Sequence, residues 1–224
     1  IVDACEDRHL RCIAEALTMG RDRWVPCGSG GLGALIPPAF GFTSRLDAIP
    51  PAPRGPALLA VGSRNDVSVR QIQRLIEAVN PPVVAHEPSH FRTKIGRGPR
   101  INQLARDIAL MLQQQKFVIL TSSLSAYAPQ MRHLMAPVLG SIVTGVLERG
   151  TLAGLFLSGG DVARAVCGED GIQALRILGD LQPGVIVGEA VGNRYPGLRV
   201  ITKAGGFGNE DALIDVARHF TQGG

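Results

Sequence analysis

The chain has 224 residues, of which 45% are hydrophobic and 19% charged, and its 23 basic and 19 acidic side chains leave a formal charge of +4. That composition supports a sizeable core and excludes a wholly disordered chain; the longest uncharged run, Trp24 to Ser44, carries five glycines and three prolines and is not read as a membrane span. The charge excess is local: residues 1–56 cancel, whereas Arg92, Lys94, Arg97 and Arg100 crowd one stretch without an acid, so a single basic loop is expected and nucleic acid is not expected as a partner.

Residues 1–4 read as the end of a strand, followed by a helix over 6–19 with Leu10, Ile13, Ala14 and Leu17 on one face. A short strand at 24–27, a glycine cluster and a brief helix stopped by Pro37 and Pro38 come next. Residues 40–56 show no periodicity and end in four prolines, which predicts a linker. From Ala57 the pattern becomes regular. Strands are expected at 57–61, 83–85, 117–120, 155–157, 185–187 and 198–202. Helices are expected at 69–79, 101–115 and 134–149, after Asp161, and at the end of the chain. The reading is an α/β, three-layer domain with a largely parallel sheet over residues 57–224, preceded by a partial α/β domain over 1–39 and the linker 40–56. The four cysteines (Cys5, Cys12, Cys27, Cys167) form no CxxC pair and have no metal-like spacing, so reduced thiols in a cytoplasmic protein are expected and no metal site is read. The chain opens Ile-Val-Asp without a signal-peptide pattern and is read as a processed product or a fragment.

Two motifs are set aside on physical grounds. Gly28-Ser29-Gly30-Gly31-Leu32-Gly33 fits GxGxxG, but the helix it opens meets Pro37-Pro38, and Asp47, near the spacing of a ribose-binding acid, sits in the linker where a crossover to a second strand is needed. His86-Glu87-Pro88-Ser89-His90 fits HExxH, whose zinc chemistry needs both histidines on one helical face; Pro88 disfavours helix at Glu87.

Three glycine-bearing turns remain, each after an apolar strand and before a helix: Gly62-Ser63, Ser158-Gly159-Gly160-Asp161, and Lys203-Ala204-Gly205-Gly206-Phe207-Gly208. In an open α/β sheet such turns gather at the carboxyl edge, where ligands bind. Glycines let a backbone approach an anion closely and expose N–H groups. Lys203 is one of only three lysines, and its compact charge would suit a phosphate; Ser63 offers a hydroxyl, and Asp161 would hold Mg²⁺ or cap its helix. Each turn alone is equally well an ordinary turn. The residues alone point no further than an α/β domain for a phosphorylated ligand, with Ser63, Gly159, Gly160, Asp161, Lys203, Gly205, Gly206 and Gly208 as its candidate contacts and no catalytic residue assigned.

Gly62-Ser63 with Ser68 and Gln71 resembles a GSxSxx[TS]xxQ turn, Ser158 to Ala163 resembles [ST]GG[DE]TA, and Pro183-Gly184-Val185 and Lys203 to Gly208 resemble PG[VI] and K[SA]GxFG. In this order and spacing they resemble the four-carbon acid sugar kinase family, whose members phosphorylate threonate, erythronate or 3-oxo-tetronate with ATP. The resemblance implies a two-domain α/β kinase with ATP and Mg²⁺ as cofactors, a small four-carbon acid as substrate, and ATP contacts at Ser63, Gly160 and Gly205. A homo-oligomer is compatible with it. Residues 1–39, ending in the turn at Gly28–Leu32, resemble the close of the family's N-terminal sugar-acid domain, so the ATP-binding portion of such a kinase is expected, poorly active alone. Departures are Asn65 for Ser, Val162 for Thr and Ala204 for Ser, and no acidic DDxTG motif is present. The lost hydroxyls keep a non-catalytic nucleotide sensor open as the alternative.

Overall fold

A computed structural model of the chain describes residues 1–20, 22–43, 48–125, 128–168 and 171–222. It divides into two compact units, residues 1–46 and 47–224. In the first unit α1 (Asp7–Met19) and α2 (Gly30–Ala39) pack together: Ala14 and Leu32 are buried, and a Cβ on Gly31 would lie 3.2 Å from Leu10 Cδ1. The strands expected at 1–4 and 24–27 are not formed. Both segments are irregular and Val25 is exposed, because an extended segment becomes a strand only where a neighbour takes up its backbone groups. α2 runs through Pro37 and Pro38 instead of stopping before them; the two prolines have no N–H to give to the preceding turn, and the helix ends directly after them at Ala39. Asp47 lies outside the described residues.

The second unit carries the sheet. Its strands are β1 (Ala57–Val61), β2 (Val83–Ala85), β3 (Phe117–Thr121), β4 (Gly154–Ser158), β5 (Ala174–Gln182), β6 (Val185–Val191) and β7 (Arg199–Lys203), in the order β2-β3-β1-β4-β7-β6-β5. The pairs from β2 to β7 are parallel, and β6 and β5 continue the sheet antiparallel. β1, β3 and β4 are buried along their whole length, as the continuous apolar runs require. Alternate residues feed opposite cores. Leu58, Ala60, Leu120 and Leu157 join α4 (Lys94–Leu112), α5 (Arg132–Leu147) and α6 (Gly160–Val166) through Ile108, Leu139 and Val162. Leu59, Val61, Ile119 and Phe156 join α3 (Asp66–Val79) and α7 (Ala212–Gln222) through Ile72, Leu75, Val216 and Phe220. Three layers result, with helices on both sheet faces.

Two segments differ from the sequence reading. β5 is absent from the sequence reading: it is an edge strand in which only Gly179 is buried, so it lacks the continuous apolar run of the central strands. The expected basic loop is largely helix, since Lys94, Arg97 and Arg100 lie in the first turns of α4. The Thr93 hydroxyl accepts from Gly96 N at 3.3 Å, and the packing of Leu104, Ile108 and Leu112 outweighs the poor propensity of Gly96, Gly98 and Pro99. The HExxH segment agrees with its sequence and is not α-helical: His86 follows β2, and Pro88–Phe91 is a single 3₁₀ turn. Residues 49–56 of the proline-rich stretch pack on the sheet. Arg199, itself buried, donates to the Pro50 and Pro51 carbonyls at 2.8 and 3.3 Å, and Ala52 is buried.

The site is positioned by the register. Thr121, Val61, Ser158 and Lys203 stand level at the carboxyl ends of four adjacent parallel strands. α3, following β1, crosses to one face, whereas α6, following β4, lies on the other. β1 leads outward to β2 and β3 while β4 sits on its opposite side, so a topological switch point opens between β1 and β4.

Candidate functional site

The first two glycine turns meet at this switch point. Gly62 N donates to Ser158 O at 3.0 Å, and Gly159 N donates to Lys203 O at 3.0 Å, which ties the ends of β1, β4 and β7 together. Gly159 has φ +106°, a conformation that side chains with L chirality rarely adopt, and it sets its backbone against Ser63: a Cβ would lie 3.6 Å from Ser63 N. The Ser63 carbonyl accepts from Ser123 Oγ at 2.7 Å, and the Ser63 hydroxyl accepts from Asn65 N at 3.4 Å. Asn65 caps α3 through Val67 N at 2.9 Å, so the residue that departs from the motif's Ser has a structural task.

The third turn closes from the α3 side. A Cβ on Gly205 would fall on Ser63 Oγ, so only glycine allows this contact, and Gly206 lies beside the Asn65 side chain. Gly208 adopts φ +79° where the turn runs into α7. The loop's carbonyls point inward and are gripped by α3. Ser68 Oγ donates to Gly205 O at 2.8 Å, and Gln71 Nε2 donates to the Phe207, Gly208 and Asn209 carbonyls at 3.2, 3.3 and 2.6 Å. Lys203 belongs to the same grip. Its ammonium donates to Ser68 Oγ and to the carbonyls of Ala204, Gly205 and Phe207 at 3.0–3.3 Å, and it is 3% exposed. Burial pushes its pKa down to about 8.

Under the first two turns lies a cavity of about 460 Å³, within the range of small-molecule sites. Ser63, Gly159, Gly160 and Asp161 line it together with Arg64, Ser122 and Arg132; Met135, Ala136, Leu139 and Val162 form an apolar wall. Arg64 Nη1 donates to Ser122 O at 2.8 Å. Lys203, Gly205, Gly206 and Gly208 do not line it: the third turn supports the site through Ser63, and Lys203 faces the loop it organises. A Cβ on Gly160 would meet nothing within 4 Å, so the cavity wall is open there. Among the described residues no group of three or more His, Cys, Asp or Glu is placed to hold a metal ion, and no helix is long and apolar enough to cross a membrane. Sequence reasoning missed Arg64, Ser122, Arg132 and the α5 wall. The hydroxyl run Thr121-Ser122-Ser123 after an apolar strand was a usable signal, whereas Arg132 is one of many arginines.

The family model of the nucleotide-binding C-terminal domain matches residues 58–213, which contain all three turns. The chain belongs to the nucleotide-binding C-terminal domain family. Relatives of this nucleotide-binding domain include the D-threonate kinase of Salmonella typhimurium, 27% identical with 96% of this chain and 52% of that protein covered. The D-threonate kinase of Bordetella bronchiseptica is 29% identical, with 97% and 51% covered, and the 3-oxo-tetronate kinase of Cupriavidus necator is 26% identical, with 97% and 51% covered. The chain spans about half the length of the curated relatives it matches. A crystal structure of a domain of unknown function from Bordetella bronchiseptica, a domain-swapped dimer with bound citrate, superposes with a TM-score of 0.61 at 26% identity, covering 98% of this chain and 52% of that one. A Haemophilus influenzae protein shares the fold, with a TM-score of 0.68 at 21% identity over 98% of this chain and 53% of that one.

Proposed function

We propose that this nucleotide-binding domain holds ATP in the cavity under its first two glycine turns and serves as the ATP-binding part of a kinase for a four-carbon sugar acid of the threonate, erythronate or 3-oxo-tetronate type. The observation that carries the reading is the convergence of Gly62-Ser63 and Gly159-Gly160 at the switch point, with Gly205 braced against Ser63. The residues present fit the ligand. Gly159 and Gly160 admit phosphate oxygens close to the backbone, the Ser63 hydroxyl is placed to donate to one, and the α5 wall suits a base. Asp161 offers the single carboxylate that Mg²⁺ uses when water and phosphate complete its shell; when bound, the ion neutralises phosphate charge. In this reading residues 1–39 close a sugar-acid domain that supplies the acceptor and its base, and self-association like that of the Bordetella structure is a further expectation.

The test is calorimetric titration of Mg-ATP into the wild type and Gly160→Asp. A carboxylate placed in the open wall at Gly160 repels phosphate, and a loss of tenfold or more, about 1.4 kcal/mol, is expected. Tight binding that survives the change refutes the site. A non-catalytic nucleotide sensor is the second reading, favoured by Val162, a buried aliphatic side chain over Gly62 where the motif has a hydroxyl. ATP consumption that depends on one of the four-carbon acids decides for the kinase; nucleotide binding without it decides for the sensor.

A further inference from the structure

We propose that Arg132 is the side chain that neutralises the terminal phosphate of the bound nucleotide, at the junction of two adjoining cavities. The inference rests on the nucleotide reading above and deepens it by giving the ligand a direction. Lys203, the cation that the glycine loop suggests, is consumed by four oxygen acceptors of its own domain and does not line the cavity. A second, more open cavity of about 590 Å³ adjoins the first, and Arg132, Ala136 and Asp161 line both. The first cavity has the apolar α5 wall; the second adds Arg164 and His133 and lacks Met135 and Leu139. A ligand with an apolar head and an anionic tail is therefore oriented with its head on Met135 and Leu139 and its tail passing Ser63 and Gly160 toward Arg132.

Arg132 suits that task. It is exposed at the first position of α5, and its side chain makes no hydrogen bond or ion pair among the described residues. Its planar fork presents two parallel donors to a phosphate, a geometry that a lysine cannot reproduce. Asp161 faces the same two cavities, so a guanidinium for phosphate oxygens and a carboxylate for a divalent cation stand at one junction.

The experiment titrates adenosine, ADP and ATP, each with Mg²⁺, into the protein as wild type, Arg132→Gln, Arg132→Lys and Gly160→Asp. Arg132→Gln is expected to weaken ATP about tenfold to hundredfold, the order for a lost charge-assisted pair, to weaken ADP less and to leave adenosine unchanged; Arg132→Lys recovers part of the loss. Unchanged ATP affinity in Arg132→Gln, alongside a loss in Gly160→Asp, overturns the role of Arg132 and spares the nucleotide site. Equal weakening of adenosine and ATP also overturns it, since Arg132 then shapes the cavity instead of meeting phosphate. Failure of the wild type to bind ATP overturns both readings.

Discussion

Alanine at Gly159 and at Gly160, adjacent positions in one turn, should move stability in opposite directions. Gly159 sits at φ +106° and ψ 127°, where an L residue costs about 1–3 kcal/mol of backbone strain. Space is not the difficulty: the added Cβ meets Ser63 N at 3.6 Å and nothing nearer, an ordinary contact. Restricting the unfolded chain returns roughly 0.4–1 kcal/mol, so Gly159→Ala should destabilise by about 1–2 kcal/mol net. With a urea slope of about 2 kcal/mol per molar, the unfolding midpoint falls by roughly 0.5–1 M. Gly160 opens α6 with no atom within 4 Å of its missing Cβ, so Gly160→Ala should stabilise by about 0.5–1 kcal/mol. Because Gly160 lines the cavity, the same variant should bind Mg-ATP more weakly while it unfolds later. Urea unfolding followed by circular dichroism, paired with calorimetric titration, reads both effects. A wild-type midpoint for Gly159→Ala would refute the strained turn, and undiminished ATP binding by Gly160→Ala would count against phosphate contact at that backbone.

His86 is buried against Phe91, its two ring nitrogens have no hydrogen-bond partner among the described residues, and burial, with the nearby charges of Arg100 and His90, pushes its pKa down to about 4. Unfolded chains hold the proton below about 6.5, so stability present near neutrality is lost as pH falls from about 6.5 to 4, by up to about 3 kcal/mol. Urea midpoints at pH 7 and 4.5 should fall together less in His86→Leu than in the wild type; equal acid losses would exclude His86 as the cause. Lys203→Met should change stability at pH 7 by no more than about 1 kcal/mol, because the carbonyls of Ala204, Gly205 and Phe207 each keep another donor, in Phe207 N, Ser68 Oγ and Gln71 Nε2. A urea midpoint lowered by 2 M or more would show that the ammonium holds the loop alone.

Local chemistry was enough to read much of this protein from its residues. Apolar runs long enough for strands buried on both faces, separated by 3.6-periodic helices, identify β1, β3, β4 and β7 and the three-layer α/β class. Glycine-bearing turns at the ends of β1, β4 and β7 mark where a ligand would meet the backbone, and the apolar spacing of Ile72, Leu75, Ile76 and Val79 marks α3. What depends on distant partners was not readable. β5 is a strand because β6 pairs with it, and Lys94 to Arg100 are helical because α4 packs on the sheet; neither segment carries that in its own pattern. The segments at 1–4 and 24–27 have strand-like composition and no neighbour to pair with among the described residues. Lys203 shows the limit most clearly. Its place in the motif suggests a ligand contact, but the turn that follows folds the carbonyls of Ala204, Gly205 and Phe207 back onto its ammonium, and the tertiary fold adds the Ser68 hydroxyl, while Arg132, in another helix, is carried to the cavity mouth. A side chain's reach follows from its sequence, but which charges it meets is decided by the register of strands that lie far apart along the chain.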